Sequence, residues 1–410
     1  MRRCILTTDI VLFQVMLKSF FFLIFIATLT IVFTGFETTS YRNESVRSII
    51  NSDSVLIISK QIDLKGKVYT LPPKGTVCFI SGGCLYNGTL IGNETKLRWK
   101  NHTGIFKNVM IKGSWIVDTI STRMFKNIDR HTLSNISSLI SDKIHNEVFI
   151  YKTCMIAVPD FASYFVVKSN TNINFYADIY TLSTKYNGGY AMEIRGRDIN
   201  INGNEHIFTG TLLKDSQNRK EWQHGIYINK NSKNITIKNL KLKYFWGDGI
   251  YVMGQDIIVD NVECAYNGRQ GLSITKGNNI SIKNSSFHHT GAKAICFGKG
   301  PGAGIDIEPN ESDVVNNVLI ENCRLYDNYR YLQGYINDFQ AYKANKADIV
   351  IRKCKIGGVY LGSSSDIRFE NGLIQKTIYG IDSNLKNITL HNIGNPKITQ
   401  NLRLSFIKNK

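Results

Sequence analysis

The sequence carries no zinc-finger or other nucleic-acid motif and no basic tract, so nucleic acid ranks last among possible partners. Proline is scarce, at six in 410 residues, and apolar and aromatic residues are ample, which excludes a low-complexity or disordered chain. Glu and Ala are sparse, whereas Asn, Ile, Lys and Gly are conspicuous. Carboxylates are outnumbered, 32 to 50, for a formal charge of +18. That balance favours an acidic polysaccharide or an anionic membrane surface, unless the lysine excess only reflects biased base composition. The lysines are scattered singly on strands, as in Ile235-Thr-Ile-Lys238. His288-His289 lacks a third ligand at recognisable spacing, and the glycine-rich Gly298–Gly304 stretch is not followed by Lys-Ser/Thr. Neither a metal nor a cofactor is therefore expected.

Long hydrophobic runs are absent except at the start. Phe20–Phe33 is apolar apart from Ala27, Thr28 and Thr30, with Lys18 just before it. The length suits a signal-peptide core, and Leu17–Phe36 is long enough for an uncleaved anchor. Residues 1–38 are read as signal peptide or anchor, the only membrane contact expected, and the protein as extracytoplasmic. Of eight cysteines, Cys78 and Cys84 flank Gly82-Gly83 at a spacing that suits a small hairpin disulfide in an oxidising compartment. Cys264, Cys323 and Cys354 read as small buried side chains.

A repeat runs through the second half. Asn234-Ile-Thr-Ile-Lys-Asn239, Asp256-Ile-Ile-Val-Asp-Asn261, Asn279-Ile-Ser-Ile-Lys-Asn284 and Asn317-Val-Leu-Ile-Glu-Asn322 share one form. It continues through Asp348–Lys353, Asp366–Asn371 and Asn387–Asn392, with Lys353 in place of Asn once. The steps are 22, 23, 38, 31, 18 and 21 residues, and the longest holds an inserted loop. A period in the low twenties is one coil of a β-solenoid, three short strands per turn. Apolar and polar residues alternate at period two, so one face packs inward. The closing Asn tolerates left-handed backbone at a sharp turn, and its amide can bond its equivalent one coil away.

A second series interleaves in fixed phase: Gly225-Ile-Tyr-Ile, Gly249-Ile-Tyr-Val, Gly271-Leu-Ser-Ile, Gly304-Ile-Asp-Ile, then Gly358-Val-Tyr-Leu and Gly380-Ile-Asp. Two strand series in one phase favour a solenoid over a sandwich or propeller. Ile173-Asn-Phe and Ile199-Asn-Ile-Asn202 read as earlier coils. Ser134–His145 has helical spacing and precedes a strand at Val148, which predicts a short helix capping the open end. Residues 39–130 read as a smaller β-rich module and 131–410 as the solenoid; the fold class is all-β.

From about Leu133 to Asn392 the chain resembles the pectate-lyase-like superfamily of right-handed parallel β-helices. The carriers are Asn200-Ile-Asn-Gly203, His224-Gly-Ile-Tyr-Ile, Gly247-Asp-Gly-Ile250, Asn267-Gly-Arg-Gln-Gly-Leu-Ser-Ile274 and Gly304-Ile-Asp-Ile-Glu-Pro-Asn310. Ile62–Pro73 and Asn87–Asn93 resemble the leading module of similar proteins from gut-type Bacteroidetes. The resemblance implies a polysaccharide partner, and spans hydrolases, lyases, epimerases and tailspikes. Trp246-Gly-Asp248-Gly resembles the first acid coil of polygalacturonase-type hydrolases. The next coil, Gly268-Arg-Gln-Gly271, lacks their paired Asp-Asp, and there is no Asp-Pro-His-Glu run of the alginate-epimerase kind.

Aligning the glycines stacks equivalent residues about 4.8 Å apart. Two residues after the glycine the outward row reads Tyr227, Tyr251, Ser273, Asp306; four residues after, it reads Asn229, Met253, Thr275, Glu308. Asp306 and Glu308, at i and i+2, face one way about 6.6 Å apart. That is the lower edge of the roughly 6.5–9.5 Å used by inverting glycosidases. They are expected as acid and base, or else as two solvated strand carboxylates. Asp248 is a third candidate acid or a turn residue. Arg269 is a clamp for a substrate carboxylate or developing charge, or the neutraliser of Asp248 or Asp306. Tyr227 and Tyr251 are expected to stack on sugar. His224, Trp246 and Tyr266 are further substrate-binding candidates, with a turn histidine and core aromatics as the plainer readings. The function expected is glycosidic-bond cleavage in a glycan, acidic or not, by hydrolysis or elimination; the alternative is a non-catalytic glycan-binding or surface solenoid.

Overall fold

A computed structural model describes residues 55–407 apart from 101, 158–164, 183–187, 213–221, 292–301, 331–334, 345, 381–385, 395 and 399–404. The apolar leader and most of the glycine-rich insertion before Gly304 lie outside the described residues. No helix among the described residues is long and apolar enough to cross a membrane.

Two long parallel sheets dominate. Ten strands form one of them: β1 (Phe165–Val167), β2 (Gly188–Ile194), β3 (Trp222–Ile228), β4 (Ile250–Val252), β5 (Gln270–Ile274), β6 (Ala303–Ile307), β7 (Phe339–Tyr342), β8 (Val359–Gly362), β9 (Thr377–Gly380) and β10 (Lys397–Ile398). They stack in chain order, each strand beside its counterpart one coil on. The other sheet has nineteen strands and takes two strand segments from each coil, such as Gly277–Lys283 and Ser286–His288. The period in the low twenties is thus a coil of three short strands.

Period-two alternation sets the core. Ile226, Ile228, Ile250, Val252, Leu272, Ile274, Ile305 and Ile307 point inward and are fully buried, as are Ile235, Ile237, Ile257 and Val259 on the other sheet. Each such side chain contributes roughly 1.5–3 kcal/mol of burial. The closing Asn behaves as its chemistry predicts. Asn239, Asn261, Asn284, Asn322, Asn371 and Asn392 all have φ between 50° and 55°. Asn239 Nδ2 donates to Asn202 Oδ1 and Asn261 Nδ2 to Asn239 Oδ1, both at 2.9 Å. Lys353 keeps the left-handed backbone, φ 55°, without an amide to bond. The Asn or Asp that opens each strand is a second left-handed corner: Asn279 donates to Asp256 Oδ1 at 2.7 Å.

Three expectations need correction. The chain around Cys78 and Cys84 is not a hairpin: the strand pairs of residues 55–116 are all parallel, with Val55↔Thr76 and Leu85↔Phe106 each 21 residues apart. Cys78 pairs with Ile57 and Cys84 with Gln61, and both thiols are free. Asn87 and Asn108, 21 residues apart, form another left-handed Asn pair. The helix α1 spans Thr132–Leu139 only, because Ile140 turns extended at ψ 127°. It covers an edge, but that of strand Phe106–Ile116: Asn135 Oδ1 accepts from the Ile111 N–H and its Nδ2 donates to the Val109 carbonyl. One side-chain amide there replaces a missing strand. Finally, Gly380 pairs with Leu361, so it is not the counterpart of Gly358.

Candidate functional site

The ten-stranded sheet puts the expected row in register. Tyr227 pairs with Tyr251, Tyr251 with Ser273, Ser273 with Asp306 and Asp306 with Gln340. Backbone bonds carry the row above it as well: Met253 N–H to Ile228, Thr275 N–H to Val252 and Glu308 N–H to Ile274. The glycine row exists because the coils approach too closely for side chains. A Cβ on Gly271 would lie 2.6 Å from the Gly304 carbonyl, and one on Gly249 2.7 Å from that of Gly271.

Asp306 is 3% exposed. Gln270 Nε2 donates to its Oδ2 at 3.0 Å, while Oδ1 has no hydrogen-bond partner among the described residues. Burial, then the charges of Glu308 and Asp248, push its pKa up to about 7, against the opposing pull of Arg269 and Gln270. Glu308 is half-buried beside it, just before Pro309 ends the strand.

Asp248 is fully buried and already engaged. Its Oδ1 accepts from the Gln270 N–H at 3.1 Å and its Oδ2 from Ser273 Oγ at 2.8 Å, with Arg269 Nε 3.7 Å away. The Asp248 N–H donates to His224 Nδ1 at 3.0 Å. His224 Nδ1 also lies 3.4 Å from Asp248 Oδ2, a distance that would suit an ion pair. The imidazole is nonetheless neutral, since burial outweighs Asp248 and lowers its pKa to about 4, and Nδ1 is occupied as an acceptor. Asp248 is thus the hub that fixes Gln270, Ser273 and Arg269 beneath Asp306, with no oxygen turned outward.

The aromatic candidates separate. Tyr227 stacks on Tyr190 at 4.1 Å and 12°, and lies tilted against Tyr251 at 5.7 Å. The rings cover one another along the solenoid axis, so they offer edges and hydroxyls to a sugar rather than the expected faces. Burial raises the Tyr227 phenol to about 12, and it donates to Met253 Sδ. Trp246 and His224 are enclosed, at 4% and 3% exposure. Tyr266 belongs to another group: its ring meets Tyr244, His288 and His289 at the end of strand Gln255–Ala265, in the nineteen-stranded sheet. No set of three or more His, Cys, Asp or Glu among the described residues is arranged to hold a metal.

Residues 224–402 match the family described as "Right handed beta helix region". The fold of the chain is a right-handed parallel β-helix. No curated protein matches it at a significant level. Among solved structures, the β-helix is similar to the A-module of mannuronan C-5 epimerase AlgE4 from Azotobacter vinelandii. That likeness has 10% identity and a TM-score of 0.41, over 71% of this chain and 97% of that one. Tailspike gp49 of Acinetobacter baumannii bacteriophage Fri1, described as a capsular polysaccharide depolymerase, shows 12% identity and a TM-score of 0.27 over 86% and 63%. A PL6 alginate lyase solved with a trisaccharide shows 9% identity and a TM-score of 0.28 over 87% and 83%.

The β-helix also has site residues that the sequence pattern did not single out. Gln270 is the contact between the two buried acids, one oxygen of each accepting from it. Trp222, 45% exposed, carries the Arg269 guanidinium over its ring at 4.7 Å. It stands two residues before His224, where the repeat motif had not yet begun. Gln340 continues the Asp306 row one coil on and bonds Asn337.

Proposed function

We propose that this β-helix is an exported enzyme that cleaves glycosidic bonds of a polysaccharide, with Asp306 as the proton donor and Glu308 as the second carboxyl. The observation that carries this is Asp306 itself. It is a buried carboxyl raised to about 7, with one oxygen fixed by Gln270 and the other without a hydrogen-bond partner among the described residues. A buried acceptor left unmet costs on the order of 1–3 kcal/mol, so structure alone gives little reason to keep one. A general acid works best with a pKa near the operating pH. Asp248, with no exposed surface, is a positioning residue: it sets Gln270 and Ser273, and through Gln270 the orientation of Asp306. Arg269 is engaged with Asp248 and Trp222, which supports the neutralising role over the substrate clamp.

The enclosure of Asp306 and Asp248 favours a second reading, a solenoid that binds glycan without turning it over. Purified protein incubated with a broad glycan panel separates the two. New reducing ends that vanish in Asp306→Asn support catalysis. Retention of glycan by both proteins, with no new ends at any pH from 5 to about 8, leaves the binding reading.

A further inference from the structure

Among the described residues, the outward rows of the two long sheets differ in their cations. On the nineteen-stranded sheet the outward row Lys238, Asp260, Lys283, Glu321, Arg352, Glu370 alternates in sign coil by coil. Lys233, Lys241 and Lys243 of that sheet also sit by carboxylates, Asp256, Glu205 and Glu263. The Asp306 row has no cation from Tyr227 to Tyr360: Tyr227, Tyr251, Ser273, Asp306, Gln340, Tyr360. Cations near it are engaged. Arg269 lies against Asp248 and Trp222, Arg195 forks onto both oxygens of Glu193, and Lys276 meets Asp313. Lys343 lies over Tyr342.

We infer that the glycan taken by this face is uncharged and that its cleavage is hydrolysis rather than elimination. The inference rests on the reading of Asp306 as a glycan-cleaving acid. A uronate would bring another carboxylate to a place where Asp248, Asp306 and Glu308 already crowd, with no cation of the row to meet it. Like charges at such range repel strongly in a dry site. Elimination removes the proton α to a uronate carboxyl, which an uncharged sugar lacks. In the hydrolytic step Asp306 gives its proton to the glycosidic oxygen. The bond from that oxygen to the anomeric carbon breaks, and its electron pair stays on the oxygen. Water adds to the anomeric carbon, and the proton it loses goes to Glu308. One water is consumed, and one new reducing end and one free hydroxyl appear. Tyr251, half-buried on the row, offers a phenol to a sugar hydroxyl.

The test uses the full chain, as wild type and as Asp306→Asn, against immobilised uncharged polysaccharides (glucans, mannans, galactans, N-acetylhexosamine polymers) and polyuronates (polygalacturonate, alginate). Asp306→Asn should be retained by at least one uncharged polymer and by neither polyuronate, with affinity changing less than about 3-fold between low and high salt. The wild type should release reducing ends from that polymer and no unsaturated sugar. Retention on a polyuronate, salt sensitivity of about tenfold or more, an unsaturated product, or retention on no uncharged polymer overturns the inference. Cleavage of a polyuronate would do so while leaving Asp306 as a catalytic acid. Retention on an uncharged polymer without cleavage would remove the catalysis and keep the ligand class.

Discussion

The two long sheets grow from one repeat, yet their outward rows treat charge in opposite ways. On the nineteen-stranded sheet Asp260 and Glu321 each lie between cations of the neighbouring coils, and Arg352 Nε meets Glu321 Oε1 at 2.7 Å. The Arg352 hydrogen bond holds Glu321 below the ordinary carboxylate range. On the ten-stranded sheet Asp306 has Ser273 and Gln340 as neighbours, and burial with two other carboxylates holds it far above that range. A stacked repeat brings like residues together, so charge must alternate or be diluted for coils to stack at all. A site that instead gathers Asp248, Asp306 and Glu308 keeps a feature that stability does not explain. The contrast can be broken at several points.

The largest effect is expected at the acid itself. Asp306→Asn keeps the shape and the Gln270 contact but cannot donate a proton to a leaving group. Turnover should fall by about 10²–10⁴-fold, the range for a general acid. In the wild type, kcat should decline as pH rises through about 7, where Asp306 ionises. Full turnover in Asp306→Asn would return the row to the same structural status as its opposite.

Asp248→Ala should act on folding. It removes the acceptor of the Gln270 N–H and of Ser273 Oγ and leaves Arg269 without its carboxylate. Breaking a buried, hydrogen-bonded charge group of this kind costs about 3–5 kcal/mol, measurable by urea denaturation. Asp248→Asn, which keeps an acceptor, should recover part of it. If both variants unfolded at the wild-type urea concentration, Asp248 would not be the hub described.

Asp306 also predicts a pH dependence of stability. Its folded-state pKa, about 7, lies above that of the unfolded chain. Between pH of roughly 4 and 7 the native protein holds a proton that the unfolded chain has lost, so its stability falls as pH rises through that window. Asp306→Asn removes this titration. It should be more stable than wild type by up to about 4 kcal/mol at pH 8, with the gain gone below about pH 4. Neutralising Glu321 should show the opposite sign, because its carboxylate is stabilised when charged.

Much of this was legible in the sequence because a solenoid repeats its physics. The 22- and 23-residue steps, the left-handed Asn corners and the register of Tyr227, Tyr251, Ser273 and Asp306 follow from period two and from what Asn tolerates. The leading coils were hidden because Gly82-Gly83 and Asn87-Gly88 are equally good hairpin signals. In the structure the pairing of Asn87 with Asn108, like the parallel strand register, shows the 21-residue step. Near the turns, alternation no longer says which way a side chain points. His224 and Trp246 are turned inward there, Trp246 as its core reading allowed, while Trp222 comes to the surface. Tyr266 lies only three residues before Arg269, but the turn Asn267–Gly268 between them carries the chain from one sheet to the other.

The Asn corners give a smaller test on the structural face. Asn261 is exposed, has φ 52°, and bonds Asn239 and Glu205. Asn261→Ala forces an L side chain with no amide into the left-handed region, at a cost of about 1–2 kcal/mol. Asn261→Gly, which adopts that backbone freely, should lose only the amide bonds, roughly 0.5–1.5 kcal/mol. A glycine variant no better than alanine would mean that the amide ladder, rather than the backbone, selects Asn at these corners.

The smallest effect belongs to the alternating charges. Glu321→Gln leaves Arg352 exposed to water, where an unpaired guanidinium is solvated at little cost. Tm should shift by less than about 2 °C, and less still at high salt. Reversing the sign with Glu321→Lys places a further cation between Lys283 and Arg352, so that consecutive coils repel. Its loss should exceed that of Glu321→Gln and shrink as salt is added. Equal losses in the two variants, insensitive to salt, would show that the row is spaced too widely for its signs to matter. The absence of cations from the Asp306 row would then carry no contrast with it.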